Sequence, residues 1–118
     1  MNYKRNSRVG IVGGTFNPIH NAHLSIAGHF LDDMRLDIVY FVPANISPFK
    51  TDNYTSQDIS SEHRIKMLEL ALKDYKKFSF DTFETDKGDV SYTIDTVKYF
   101  REKFPYSRLF LLIGDDQA

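Results

Sequence analysis

Residues 9–24 constrain this chain more than any other stretch. An apolar run, Val9-Gly10-Ile11-Val12, meets the pair Gly13-Gly14, and after Thr15-Phe16-Asn17-Pro18-Ile19 a helical pattern begins near His20. A strand that stops in glycines and turns into a helix leaves bare backbone N–H groups at the positive end of the helix dipole. Glycine also lacks the Cβ that would hold a ligand away from the backbone. His20 and His23 stand three residues apart, which places two imidazoles on one face of the helix start. The segment therefore predicts a polyphosphate site at a strand-to-helix turn.

The remainder of the chain continues the alternation of strand and helix. Apolar runs at 8–13, 37–42, 78–84 and 108–113 read as strands. The first, second and fourth are nearly continuous, as expected of parallel strands covered on both faces. In the third, Phe78, Phe80 and Thr82 alternate with Ser79, Asp81 and Phe83, which places it nearer an edge. Helical patterns fill 21–34, 60–75 and 93–104. Leu24, Ala27 and Leu31 form one stripe with Ile26 and Phe30 alongside; Ile65, Leu68 and Leu72 form another; Ile94, Val97, Phe100 and Phe104 form a third, stopped by Pro105. The expectation is an α/β fold, with a Rossmann-like doubly wound parallel sheet and right-handed crossovers, in one domain spanning 1–118. A long polar connection, 43–59, follows the second strand, where loops are usually functional.

Charge and composition exclude several classes. Lys and Arg total 15 against 16 Asp and Glu, so no overall field recruits nucleic acid or an acidic membrane. Cysteine is absent, which rules out disulfides, thiolate metal sites and a cysteine nucleophile, and fits a reducing compartment. The basic residues before Val9 precede too short a run for a signal peptide, and no run approaches a membrane span. A cytoplasmic location is the expectation.

Each candidate residue also has a plain structural reading. A double glycine alone is an ordinary tight turn, and with no G-x-G-x-x-G and no glycine-lysine pair it is neither the dinucleotide fingerprint nor a Walker loop. A zinc site would need a third ligand, and only His29, His63 or acids without metalloprotease spacing are on offer. His29 and His63 are read as structural or surface residues. Lys50, on a proline-flanked loop, is either solvated or a point charge for phosphate. Ser91 or Thr93 reads as a helix N-cap, with Asp95 complementing the dipole, and such a helix start offers N–H groups to a carboxylate. Asp116 follows the fourth strand at the sheet edge where open α/β sheets bind ligands, whereas Asp115 reads as a solvated turn residue. Arg64 is either a surface charge or an anchor at the core edge.

Residues 13–24 resemble the nucleotidyltransferase superfamily motif G-x-F-D-P-x-H-x-G-H, carried by adenylyl- and cytidylyltransferases with a Rossmann-like sheet. Asn17 stands where an aspartate is common and drops a charge; Ala22 stands where the motif has glycine, and its methyl crowds the nucleotide's approach. Four further stretches resemble bacterial nicotinate-nucleotide adenylyltransferases. Residues 42–50 are similar to VPA-x-x-P-P-H-K, with Ser47 and Phe49 departing, and 61–68 to S-x-x-x-R-x-x-M-L. Residues 91–97 are similar to S-Y-T-x-D-T-L, and 112–116 to I-I-G-x-D. The stretches occur in that family's order and cover nearly the whole chain.

The resemblance implies a nucleotidyltransferase-type sheet and adenylyl transfer from ATP to nicotinate mononucleotide, giving deamido-NAD and pyrophosphate. It implies His20 and His23 as the catalytic pair on the ATP phosphates, with Gly13, Gly14, Thr15, Phe16, Gly114 and Asp116 as further ATP contacts. Asn45, Lys50, Tyr92 and Thr93 would meet the second substrate, its ring carboxylate near Thr93. Mg²⁺ would ride on the ATP phosphates with no protein-held metal, and a homo-oligomer stays open.

The resembling family also carries an I-S-S/T-x-x-R segment and tryptophans after the G-x-D turn. This chain has no tryptophan and stops at Ala118. The expectation is a sheet lacking its last part, and a chain that is inactive or greatly impaired. Two rivals remain: a sister enzyme such as pantetheine-phosphate adenylyltransferase, against which residues 91–97 argue, and a non-catalytic nucleotide-binding module, which Ala22 favours. A zinc hydrolase is a distant third.

Overall fold

The structure, a computed structural model, describes residues 7–14, 16, 19–44, 61–87 and 93–113. Four strands, β1 (Arg8–Gly14), β2 (Ile38–Pro43), β3 (Phe78–Phe80) and β4 (Arg108–Ile113), form one sheet in the order β3-β2-β1-β4. Every pairing is parallel, with Val9 opposite Ile38 and Leu109, and Val39 opposite Phe78. The helices are α1 (Asn21–Asp33), α2 (Ser61–Leu72), α3 (Phe83–Lys87) and α4 (Thr93–Lys103). The fold is the α/β parallel sheet that the alternation predicts.

Side-chain alternation along the strands divides the core into two layers. Val12, Val39, Phe41 and Phe78 pack with Ala27 of α1 and Leu68 and Leu72 of α2. Val9, Ile11, Ile38, Tyr40 and Val42 pack on the opposite face with Phe100 of α4 and Phe104 just beyond it. β1 and β2 are thus covered on both faces, which is why they read as continuous apolar runs. Gly10 lies where α1 closes on the sheet: a Cβ there would sit 2.5 Å from Leu36 Cδ1 and 2.9 Å from Phe30 Cε2.

Four expectations need correction. β3 ends at Phe80, not at 84, because Asp81 Oδ1 accepts the Phe83 N–H at 2.9 Å and turns the chain into α3. β3 does lie at the sheet edge, as its alternation suggests. β4 is only half covered: it pairs with β1 on one side, and Leu111 is exposed. Ile26 and Ile94 fall outside the core at 53% and 58% exposure, since Ala27 and Phe100 occupy the central contact positions of their helices.

Helix ends follow local chemistry. α1 closes in a Schellman motif, with Leu36 N–H donating to Leu31 O at 2.9 Å and Arg35 N–H to Asp32 O at 3.3 Å. Arg35 occupies the left-handed position usually given to glycine, at φ 52°. No helix among the described residues is long and apolar enough to cross a membrane.

Candidate active site

β1 sits between β2 and β4, so the chain leaves it toward one side and returns on the other. Ligands of open parallel sheets bind beyond the strand ends at such a reversal point. A cleft opens there, lined by Gly13 and Gly14 of β1, Val42 of β2, Leu111 and Leu112 of β4, and Thr93 and Thr96 of α4. Ile11 forms part of its floor, and Glu84 of α3 contributes a carboxylate. A wider hollow of about 530 Å³ opens beside β3 and α3. It is shallow and borders none of the predicted residues, so the reversal-point cleft is the candidate site.

The two glycines do different work. A Cβ on Gly13 would meet nothing within 4 Å, so its missing side chain leaves the cleft open. A Cβ on Gly14 would stand 3.1 Å from the Phe16 ring. Gly14 therefore gives room to Phe16, which is 2% exposed, belongs to the core layer under α1, and adopts a left-handed φ of 47°. Such a backbone conformation in a bulky residue is held only when its surroundings enforce it. Here the ring packs edge-on to His23, centroids 5.1 Å apart at 87°, and against Phe41 at 5.7 Å.

The predicted histidine pair cooperates through its backbone. His20 is the N-cap of α1, with extended φ and ψ, and its Nδ1 accepts the Ala22 N–H at 3.3 Å. His23 answers in reverse, its Nδ1 accepting the His20 N–H at 3.0 Å. This is the reciprocal geometry of a capping box, built from imidazoles rather than hydroxyl and carboxylate. A ring nitrogen that accepts an N–H carries no proton, so each neutral ring keeps its proton on Nε2. Both rings are thus set as Nε2–H donors, with centroids 4.0 Å apart, at the positive end of α1. His20 is exposed and His23 half-buried. The arrangement supplies two neutral donors suited to anionic oxygens.

The second half of the site begins at α4. Thr93 is the first described residue of α4, and Ser91, the other residue read as its cap, lies outside the described residues. Asp95 stands in the first turn as expected. Thr96 is buried at 3% exposure, and its Oγ1 donates to Glu84 Oε2 at 2.5 Å. Thr96 falls in the 91–97 stretch that carries the resemblance, whereas Glu84 is not among the predicted contacts. Strand-like alternation over 78–84 masks Glu84, which the structure places in α3.

Arg64 resolves as the anchor. It is fully buried on α2, and its Nη1 donates to Ala44 O at 2.8 Å. Ala44 N–H in turn donates to Gly14 O at 2.8 Å, tying α2 to the glycine end of β1. His29 and His63 are exposed. No group of three His, Asp or Glu side chains among the described residues could hold a metal ion. The remaining predicted contacts, Thr15, Asn45, Lys50, Tyr92, Gly114 and Asp116, lie outside the described residues.

Comparison with known proteins places this geometry in context. The sequence profile of the family described as cytidylyltransferase-like matches residues 11–118. A Bacillus subtilis protein named nicotinate-nucleotide adenylyltransferase is 39% identical over 110 residues, covering 92% of this chain and 56% of its own length. A Lactococcus lactis protein named "Probable nicotinate-nucleotide adenylyltransferase" is 40% identical over 118 residues, covering all of this chain and 59% of its own length. The chain thus spans under three-fifths of the length of these relatives. In fold, it is similar to the Plasmodium falciparum nicotinic acid mononucleotide adenylyltransferase complexed with NaAD, at a TM-score of 0.73 and 18% identity over 90% of this chain and 51% of that one.

Proposed function

Because this chain belongs to the cytidylyltransferase-like family, we propose that its cleft serves adenylyl transfer from ATP to nicotinate mononucleotide, yielding deamido-NAD and pyrophosphate. The observation that carries the reading is the reciprocal His20–His23 cap, which sets two Nε2–H donors at the start of α1, with the His23 ring against Phe16 and the Phe16 ring in turn in front of Gly14. The names of relatives about 40% identical support the choice of substrates. We read residues 1–118 as part of one Rossmann-like unit.

In this mechanism an oxygen of the mononucleotide 5′-phosphate attacks the α-phosphorus of ATP in line. The new P–O bond forms as the α–β bridging bond breaks, and the bonding electrons leave with pyrophosphate. The nucleophile is already anionic, so no general base and no covalent enzyme intermediate is required. Positioning and electrostatic stabilisation supply the acceleration. His20 and His23 donate to the phosphate oxygens on which charge builds. Gly13 and Gly14 let the nucleotide approach the end of β1, with Thr15, the Phe16 backbone, Gly114 and Asp116 as further ATP contacts. Asn45, Lys50, Tyr92 and Thr93 take the mononucleotide. Mg²⁺ enters on the triphosphate as part of the substrate, with phosphate oxygens and water as its ligands.

Incubating the protein extended past Ala118 with ATP and a panel of acceptors, and identifying products by mass, tests the reading, the 118-residue chain itself being expected to turn over poorly. Deamido-NAD and stoichiometric pyrophosphate are expected with nicotinate mononucleotide. Product from 4′-phosphopantetheine alone, or ATP binding with no product from any acceptor, would replace it with one of its rivals.

A further inference from the structure

We propose that Glu84 is a positioning residue of this site, holding the first turn of α4 so that Thr93 faces the acceptor; the inference rests on the function proposed above. Glu84 is the one charged side chain among the described residues lining the cleft. Its Oε2 accepts from Thr96 Oγ1 at 2.5 Å, and Thr96 is buried. Thr93 and Thr96 are one helical turn apart and line the same cleft, so a clamp on Thr96 fixes the azimuth of Thr93.

The turn between β3 and α3 is what brings that carboxylate across from α4. Asp81 and Thr82 end β3 and start α3: Asp81 Oδ1 takes the Phe83 N–H, Asp86 N–H donates to Thr82 O at 2.8 Å, and Thr82 Oγ1 donates to Asp86 Oδ2 at 2.7 Å. Had β3 run on through residue 84, Glu84 would lie along the sheet edge rather than across from α4. The Thr96–Glu84 hydrogen bond spans two elements, tying α3 to the first turn of α4. Glu84 acts through Thr96 and not by touching the acceptor, because a second carboxylate in direct contact would repel an acidic substrate.

Three substitutions separate geometry from charge. Glu84→Gln keeps an oxygen for the Thr96 hydroxyl, and Glu84→Ala removes it; Thr96→Val removes the donor at nearly constant shape. The proposal expects Glu84→Ala and Thr96→Val each to raise KM for nicotinate mononucleotide by about tenfold, with KM for ATP unchanged. Combining Glu84→Ala with Thr96→Val should give no further loss, and Thr96→Ser should behave as the parent protein. Glu84→Gln should lose less than about threefold. Equal shifts in both KM values, or additive losses in the double variant, would overturn the positioning role while leaving the function intact. So would a changed preference between acid and amide mononucleotides in Glu84→Gln, which would mean direct electrostatic contact. An unsubstituted protein that binds ATP but neither mononucleotide in calorimetry would remove the proposed function and this inference together.

Discussion

Gly10, Gly13 and Gly14 stand within five residues of one strand, yet the space in front of each differs. Gly10 faces Leu36 and Phe30, so Gly10→Ala should cost about 1–3 kcal/mol in chemical denaturation, as an overpacked core does. Gly13 faces the open cleft, so Gly13→Ala should change stability by less than about 0.5 kcal/mol. The same methyl fills the approach to the β1 end, and kcat/KM for adenylyl transfer should fall by at least about tenfold. A pair of melts and a pair of assays suffices; a Gly13→Ala protein that is destabilised yet fully active would reverse the assignment. The sequence marks all three glycines equally, and only the packing on each side of β1 separates their roles. The histidines show the same limit. Their spacing predicts a shared face, whereas the reciprocal Nδ1 cap that fixes both tautomers depends on the extended backbone at His20.

Among the elements, the short helix α3 and the end of α1 are most informative. Periodicity predicts a strand through 84 because Phe78, Phe80 and Thr82 alternate cleanly. Asp81 and Thr82 defeat it, since short polar side chains offer the backbone a competing turn. Asp81 is 8% exposed and also accepts from Tyr99 Oη and Lys103 Nζ, each at 2.8 Å. Burial and the adjoining Asp81 carboxylate push the Tyr99 phenol above its ordinary value of 10.0. The folded state therefore keeps a proton that the unfolded chain loses, so this contribution is present below pH 10 and is lost as pH rises through the folded value. Ultraviolet titration should show one tyrosine ionising late, and Asp81→Asn should move it back toward the others. At the end of α1, Arg35 carries the left-handed conformation that glycine adopts without strain. Arg35→Gly should stabilise the fold by about 0.5–1 kcal/mol in a denaturant titration. A loss of stability there would mean that the Arg35 side chain contributes more than its backbone costs.

For the molecule as a whole, β1 and β2 are legible in the sequence because both their faces are buried, which leaves an uninterrupted apolar signature. β4 carries the same signature with less cover among the described residues, where it pairs with β1 alone. The order β3-β2-β1-β4 places the glycine end of β1 at the reversal point, with α1 and its histidines on one side and α4 with Thr93 and Thr96 on the other. The crossover returning through α4 explains why Thr93 and Thr96 share a cleft with Gly13 and Gly14, about 80 residues earlier; His20 and His23 do not line that cleft. Glu84 escapes motif matching because its place depends on where β3 stops. The central claim is that the capped histidine pair stabilises charge during adenylyl transfer, and His23→Asn tests it most directly. The asparagine oxygen stands in for Nδ1 and can still accept the His20 N–H, while the Nε2–H donor is lost. In the protein extended past Ala118, steady-state turnover with ATP and nicotinate mononucleotide should then fall by about 10²–10³ in kcat with the melting temperature nearly unchanged. Full turnover in a folded His23→Asn protein would contradict the account.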